Sequence, residues 1–540
     1  MMGTLDSHQE QSLFSYHIHL DRRIRPDHPL RQLHAALDLT FVVPAVQDLY
    51  GRSGNVSLDP RVILKMMLLL FYYDIPSERE LVAQIGERLD FLWFLGFDLE
   101  TTVPDHSVLS KARARWGAEV FDQLFTRVVL QCVQAGLVDG RLVHVDSTIV
   151  KANASKNSIL QTSPEMVAAV RAACQKQSGK LAVLAPVETA APVPVSAVSA
   201  PVPVLPGPQA GPPPSVPKLP VNQTHISLTD PEAHLARSKN GVTDLTYKEH
   251  RAVDDAHGVI TAVAVTISTV ADGKQLPALV QQHQDQTGLG TTGLTLAGDK
   301  HYGTAENYLY CVAQHLRPHL GEASAHLEER GKLPLSQFTY EAGRDRYRCP
   351  QGHYLTLHQL KPEAQAKVYL IEQPDWCAAC PQRARCTSAK RGRSLQRHVQ
   401  AEVIARAQTE ARSPAGRYSR KRRKHVMEGS FADAANNHGS KRARWRGLAR
   451  QQIQSWLICV CQNLRLLVKH RRKHPPLAAG VVTVLPILAP SDQMVPRKME
   501  NLPPTPPNGN AASRIDVFLL PRHSGASPLA LLSFLAASSN

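Results

Sequence analysis

The stretch Val143-His144-Val145-Asp146-Ser147-Thr148-Ile149-Val150 alternates β-branched and polar residues, the period of two that marks a strand. Asp146 stands at its centre, where strands accept aspartate poorly. A carboxylate in that position must be solvated, paired or bound to a metal. On this stretch alone, an edge strand with Asp146 facing water explains the pattern as well as a functional acid does. The residues on either side decide between the two.

Downstream, Tyr247 to Val253 and Val259 to Ser268 alternate in the same way around the turn Asp254-Asp255-Ala256-His257-Gly258, which predicts a hairpin. Gln275 to His283 carries helical spacing, and Leu294 to Gly298 is a short apolar strand running into Asp299. If that strand lies parallel to the first, with the helix as a right-handed crossover, Asp146 and Asp299 project near one sheet edge. Two carboxylates far apart in sequence then form one acidic site.

Upstream, residues 28–135 read as helical throughout. Asp59-Pro60 starts one helix with proline in its first turn, Ser77-x-x-Glu80 is a capping box, and Pro104-Asp105-His106-Ser107 starts another. Lys111 and Arg115 share a face of that last helix, a solvated face or a phosphate contact.

The segment around residues 316–400 breaks the pattern. It holds Cys349-Pro-Gln-Gly-His353, then Cys377-Ala-Ala-Cys380 and Cys386. Cys349, Cys377, Cys380 and Cys386 suffice for a closed tetrahedral Zn²⁺ site, with His353 an alternative to Cys349. Reduced cysteines packed in a small subdomain are the competing reading. The densest positive charge follows: Arg417, Arg420, Lys421, Arg422, Arg423 and Lys424 precede Glu428, and Lys441, Arg442, Arg444, Arg446 and Arg450 come after. Leu448 to Val468 then has the spacing of an amphipathic helix, so the basic run is held between folded elements.

Composition bounds the class. The chain has 540 residues, 62 Lys and Arg against 46 Asp and Glu, and a formal net charge of +16. That excess suits a polyanionic partner, nucleic acid first. The polar, acidic segment before Phe14 predicts no secretory leader. No apolar run is long enough to span a bilayer, and nine cysteines are too few for a disulfide framework. A soluble intracellular protein is expected.

Several motifs occur in one order: Asp27-His28-Pro29-Leu30, Ser77-Glu78-Arg79-Glu80-Leu81, Phe91-Leu92-Trp93-Phe94-Leu95-Gly96 and Val103-Pro104-Asp105-His106-Ser107; then Val145 to Ala152, Tyr247 to Asp254, and Ala297-Gly298-Asp299-Lys300-His301-Tyr302. In this ordered set the chain resembles a bacterial insertion-sequence transposase of the DDE type, whose catalytic domain is RNase H-like. The resemblance runs from about Phe14 to Lys469, apart from a Pro-rich insertion, and includes the cysteine-bearing segment and the closing helix at Asn463-Leu464.

The resemblance, with composition supplying the insertion and the tail, implies a mixed α+β and α/β fold in five parts. These are a helical N-terminal domain for DNA binding or assembly over residues 14–138, and the first part of an RNase H-like mixed-sheet core over 140–315, with a disordered Pro/Ala-rich insertion at about 176–221. A Cys-rich insertion over 316–400 follows, then the second part of the core over 401–472, and a disordered tail over 473–540. It also implies that Asp146, Asp299 and Glu428 hold two Mg²⁺ or Mn²⁺ ions and catalyse DNA cleavage and strand transfer. Lys300, His301, Arg420, Arg422, Arg423, Lys424, Arg442, Arg444 and Arg446 would contact DNA. The expected partners are double-stranded DNA, as element terminal inverted repeats and target, and a second copy of the chain in a dimer or higher oligomer, in the bacterial cytoplasm with the nucleoid. Around the third acid the chain departs from its relatives, with Lys424 where many carry Arg and Ala435 where a lysine is usual. The competing functions are an RNase H-like nuclease without strand transfer, and a decayed or domesticated DNA-binding protein.

Overall fold

The structure is a computed structural model and describes residues 19–51, 57–178, 219–237, 240–322, 331 and 333–474. Most of the Pro/Ala-rich insertion and the tail beyond His474 lie outside these residues.

Capping side chains and prolines set the N-terminal helices. Helix α1 (Pro29–Ala36) opens on His28, whose ring accepts the Leu30 amide at 3.3 Å. Helix α2 (Pro60–Tyr72) opens on Asp59, which accepts the Arg61 amide at 2.8 Å, and α3 (Glu78–Glu87) on Ser77, which accepts the Glu80 amide at 3.1 Å. These bonds satisfy amides that a helix start leaves without partners. Helices α4 (Leu89–Leu95), α5 (Ser107–Trp116) and α6 (Glu119–Gln134) complete the helical region. From Val62 to Phe71 every residue of α2 except Lys65 is buried, as suits a helix apolar on all sides.

The first sheet contains β1 (Leu142–Lys151), β2 (His234–Arg237), β3 (Thr243–Asp254), β4 (Ile260–Ile267), β5 (Thr295–Gly298) and β6 (Arg317–Leu320). The expected hairpin is β3 with β4, and β3 runs antiparallel to β1. β5 lies parallel to β1, and β6 parallel to β5. The crossover from β4 to β5 is α8 (Leu276–Thr287), and α9 (Ala305–Ala313) follows β5. Before β2 the chain forms α7 (Pro164–Ser178), so helix persists three residues into the segment expected to be a disordered insertion; at its other limit, a helical turn begins at Val221. β6 pairs with β5, so the main sheet reaches into the segment expected as the Cys-rich insertion.

That segment folds as a second sheet. β7 (Thr339–Glu341), β8 (Arg346–Arg348), β9 (Tyr354–Lys361), β10 (Ala366–Ile371) and β11 (Ser394–His398) pair antiparallel in chain order. Its core is small, with Leu333, Phe338, Tyr347, Leu355, Tyr369, Ile371 and Leu395 buried.

The chain returns to the main sheet through α10 (Ala401–Arg412), α11 (Pro414–Asn437) and α12 (Leu448–Lys473). Spacing alone predicts one apolar face on α12. Instead, every residue from Gln451 to Leu464 is buried, because the helix is sandwiched between the sheet and the N-terminal helices, whose apolar side chains share one core with it. Its polar residues bond the outer side of β4. Asn463 takes the Ile260 amide at 2.9 Å and donates to the Ile260 carbonyl at 2.8 Å. Gln452 does the same for the Val265 amide at 2.7 Å and the Val263 carbonyl at 3.1 Å. An edge strand's unpaired backbone groups are thus closed by side-chain amides.

Candidate active site

The register of the parallel pair fixes the acids. His144 stands opposite Ala297; two residues further along the chain are Asp146, within β1, and Asp299, the residue just past the end of β5. Side chains two apart share a face, and neighbouring strands lie about 4.8 Å apart. The two carboxylates are therefore neighbours at one sheet edge. The Asp299 turn is held from within: Asp299 Oδ1 accepts the His301 amide at 2.8 Å. Glycines let other segments close on it. A Cβ on Gly321 would stand 2.6 Å from the Lys300 amide nitrogen, and one on Gly273 2.8 Å from the His301 carbonyl.

The electrostatics of Asp146 follow from this proximity. Burial pushes the Asp146 carboxyl above its usual range and Asp299 pushes the same way, against the pull of Arg423 and the Ser147 amide. Arg423 on α11 forms an ion pair with Asp146 Oδ2. Burial would also raise Asp272, but Lys248, 2.9 Å away, and Ser147 outweigh it and hold Asp272 low. Among the described residues the buried Tyr302 hydroxyl has no hydrogen-bond partner. Its burial, then the charges of Asp272, Asp146 and Asp299, drive its pKa far up. Asp272 is thus a third carboxylate around the pair, which sequence reading missed. Its only signal is its place at the start of the crossover helix, before Gly273.

Glu428 lies elsewhere. Helix α11 turns Arg423 and Met427 inward, and Glu428 is exposed. At about 100° per residue, Glu428 points about 140° away from Arg423. Among the described residues no three His, Cys, Asp or Glu side chains converge as a metal site.

The cations expected to meet DNA divide into two groups. Lys300, His301, Arg422, Lys424, Arg442 and Arg446 are exposed, although Arg422 also bonds Asp255 at 2.8 Å and Arg446 the Asn153 carbonyl at 3.3 Å. Arg420, Arg423 and Arg444 are turned to structural partners. Arg420 donates to the Ala411 carbonyl, and Arg444 bonds Asp74 at 2.6 Å and the Leu70 carbonyl at 3.1 Å while lying over the Phe71 ring. Arg444 therefore ties the loop before α12 to α2.

In the second sheet, Cys349, Cys377 and Cys386 pack against its core. Burial raises the Cys386 thiol pKa, and Cys377, Cys380 and Cys349 each add to the rise, which puts the four in one neighbourhood. All are free thiols. His353 stacks on Trp376 at 4.6 Å.

Residues 18–115 match a family described as "Transposase domain (DUF772)", and residues 348–468 match one described as "Transposase DDE domain". The second match contains the four clustered cysteines, Glu428 and α12 as far as Val468, and begins after Asp146 and Asp299. No curated protein matches the chain. Among the described residues no helix is long and apolar enough to cross a membrane.

Proposed function

From the premise that this chain is an insertion-sequence transposase of the DDE type, carrying both transposase domains, we propose that it binds the ends of its element and catalyses DNA cleavage and strand transfer. Asp146 and Asp299 are the fixed acids of an RNase H-like core. The observation that supports this most is that Asp146 on β1 and Asp299 just past β5 lie on adjacent parallel strands in the order β4-β3-β1-β5-β6, with the crossover helix α8 following β4.

Carboxylate oxygens suit Mg²⁺ or Mn²⁺, and Asp146 and Asp299 would hold such ions. Two bound ions would activate an attacking hydroxyl and stabilise the leaving oxygen of an in-line displacement. The protein's own groups prepare the site. Arg423 compensates the charge of Asp146 in the free protein, and the His301 amide orients Asp299. Lys300 and His301 stand at the rim, where a phosphate backbone would pass. Glu428, the third acid by resemblance, joins through a rotation of α11, which buries only Gly416, Ser419, Met427 and Ala434 of its 24 residues. Element-end DNA carrying a label, incubated with Mg²⁺ or Mn²⁺, should yield 3′-hydroxyl ends with wild type and none with Asp146→Ala. Cleavage by the variant would sink the assignment.

A second reading, a DNA-binding protein that no longer cuts, is favoured by the Arg423–Asp146 ion pair and the exposed Glu428. Binding without cleavage by the wild type would select it. In either case a dimer or larger assembly on nucleoid DNA is expected, readable by light scattering of the complex.

The four cysteines suit a structural Zn²⁺ by donor type, and a seven-residue core is small for a sheet to stand on alone. Their sulfurs would have to draw together. Metal analysis of purified protein should find about one zinc per chain, lost in Cys377→Ser; a zinc-free wild type would leave the cysteines as packing residues.

A further inference from the structure

A cleft of about 950 Å³ opens between the N-terminal helices, the β3–β4 turn, α11 and α12. Arg465, Lys469 and Arg472 line it from one face of α12, and Arg422 from α11. At 1.5 Å per residue the three α12 cations span about 10 Å, a length over which one DNA strand presents about three phosphates. The opposing carboxylates are already engaged. Asp255 bonds His144 and Arg422, each at 2.8 Å, and Asp433 bonds Gln462 at 2.8 Å and Arg465 at 3.2 Å. Lys469 has no partner among the described residues, and Arg472 touches only the neutral Gln32 amide.

The cleft is lined by residues adjacent to those that touch Asp146. Arg422 lines it while the next residue, Arg423, holds Asp146. Asp255 lines it too and bonds His144, which shares a face of β1 with Asp146. Backbone lying along α12 would therefore be led to the sheet edge where Asp146 and Asp299 meet. A solvated cationic helix face needs no such cleft, and the basic residues at the other end of α12's approach, such as Arg444, are spent on packing.

We propose that this cleft seats the sugar–phosphate backbone of duplex DNA through Lys469, Arg472 and Arg465, beside the catalytic pair. The assignment rests on the transposase reading and names a surface for it. Each phosphate contact released should reduce the salt dependence of binding by about one unit of log–log slope.

The test is fluorescence anisotropy of the full-length protein with a labelled duplex carrying the element end, titrated at several NaCl concentrations. Wild type is compared with Lys469→Ala and with Lys469→Ala/Arg472→Ala. The single variant should lower the slope by about one and the double by about two, with weaker binding at low salt and an unchanged thermal midpoint for the single variant. An unchanged slope and affinity in Lys469→Ala, with wild type binding normally, overturns the cleft and leaves the transposase reading intact. Failure of the wild type to bind duplex DNA overturns both. If the double variant unfolds through loss of the Gln32 contact, the single variant decides.

Discussion

The edge of β1 and β5 and the outer face of α11 each carry an acid that the transposase resemblance marks as catalytic, yet they differ in how firmly the fold holds it. Asp146 projects from a strand, and Asp299 from the residue directly after one, and the hydrogen-bonded register of the two strands holds them, since a shift of one residue would turn the buried neighbours out. Glu428 sits on a helix with mostly polar residues on every side, anchored by four small or flexible buried positions. Ladder pairing fixes a side chain's direction; a weakly buried helix leaves it adjustable. On the proposed assignment, the fixed half of the site is borne on β1 and the end of β5 and the adjustable half on a helix.

The sharpest way to break this comparison is Glu428→Gln. Exposed and without an ion pair among the described residues, Glu428 should leave the thermal midpoint of the free protein unchanged when replaced while cleavage is abolished, whereas Asp146→Ala should abolish cleavage and also shift stability by freeing Arg423. Full cleavage by Glu428→Gln would remove α11 from the chemistry.

Arg251 is opposite Asp146 on β3 and completely buried. It bonds Glu249 at 2.5 Å, the Ser430 hydroxyl of α11 at 3.0 Å and Gln462 of α12 at 2.9 Å. It joins the fixed and adjustable halves. Arg251→Ala strands Glu249 in the interior and should cost about 3–5 kcal/mol, read as a fall in the urea midpoint. A loss within experimental error would show that α11 is held by other contacts.

Gly321→Ala presses on the Asp299 turn rather than on α11. Its Cβ meets the backbone of Asp299 and Lys300, which cannot yield as a side-chain tip can, so a loss of about 1–3 kcal/mol should accompany reduced cleavage. Normal activity would mean that the turn tolerates displacement.

Acid stability tests the same packing away from the acid pair. Burial lowers His234, His250 and His283 from 6.5 to about 4, so each stays neutral when folded. The unfolded chain takes up more protons between these values, and stability should be full above about pH 6.5 and fall toward pH 4. A thermal midpoint flat across that range would contradict the burial of these rings.

What the sequence made legible follows the same division. Alternation in Val143–Val150 and Tyr247–Ser268, and the crossover between them and Leu294–Asp299, carried the parallel pairing and the Asp146–Asp299 pair. Asp59 and Ser77 announced two helix starts through local hydrogen bonds. Partners distant in sequence left no such trace. Nothing near Asp272 announces Lys248, nothing near Arg251 announces Ser430 and Gln462, and the amides of Gln452 and Asn463 read as the polar side of an amphipathic helix until β4 is seen beneath them. Arg444 read as a DNA contact because charge alone does not reveal a carbonyl waiting on α2.

The most direct test of the central claim is single-turnover cleavage of element-end DNA with Mn²⁺ by wild type and Asp299→Ala at matched DNA occupancy. The account predicts metal-dependent 3′-hydroxyl product from the wild type, none from the variant, and equal DNA binding by both. Equal cleavage by the two proteins would contradict it.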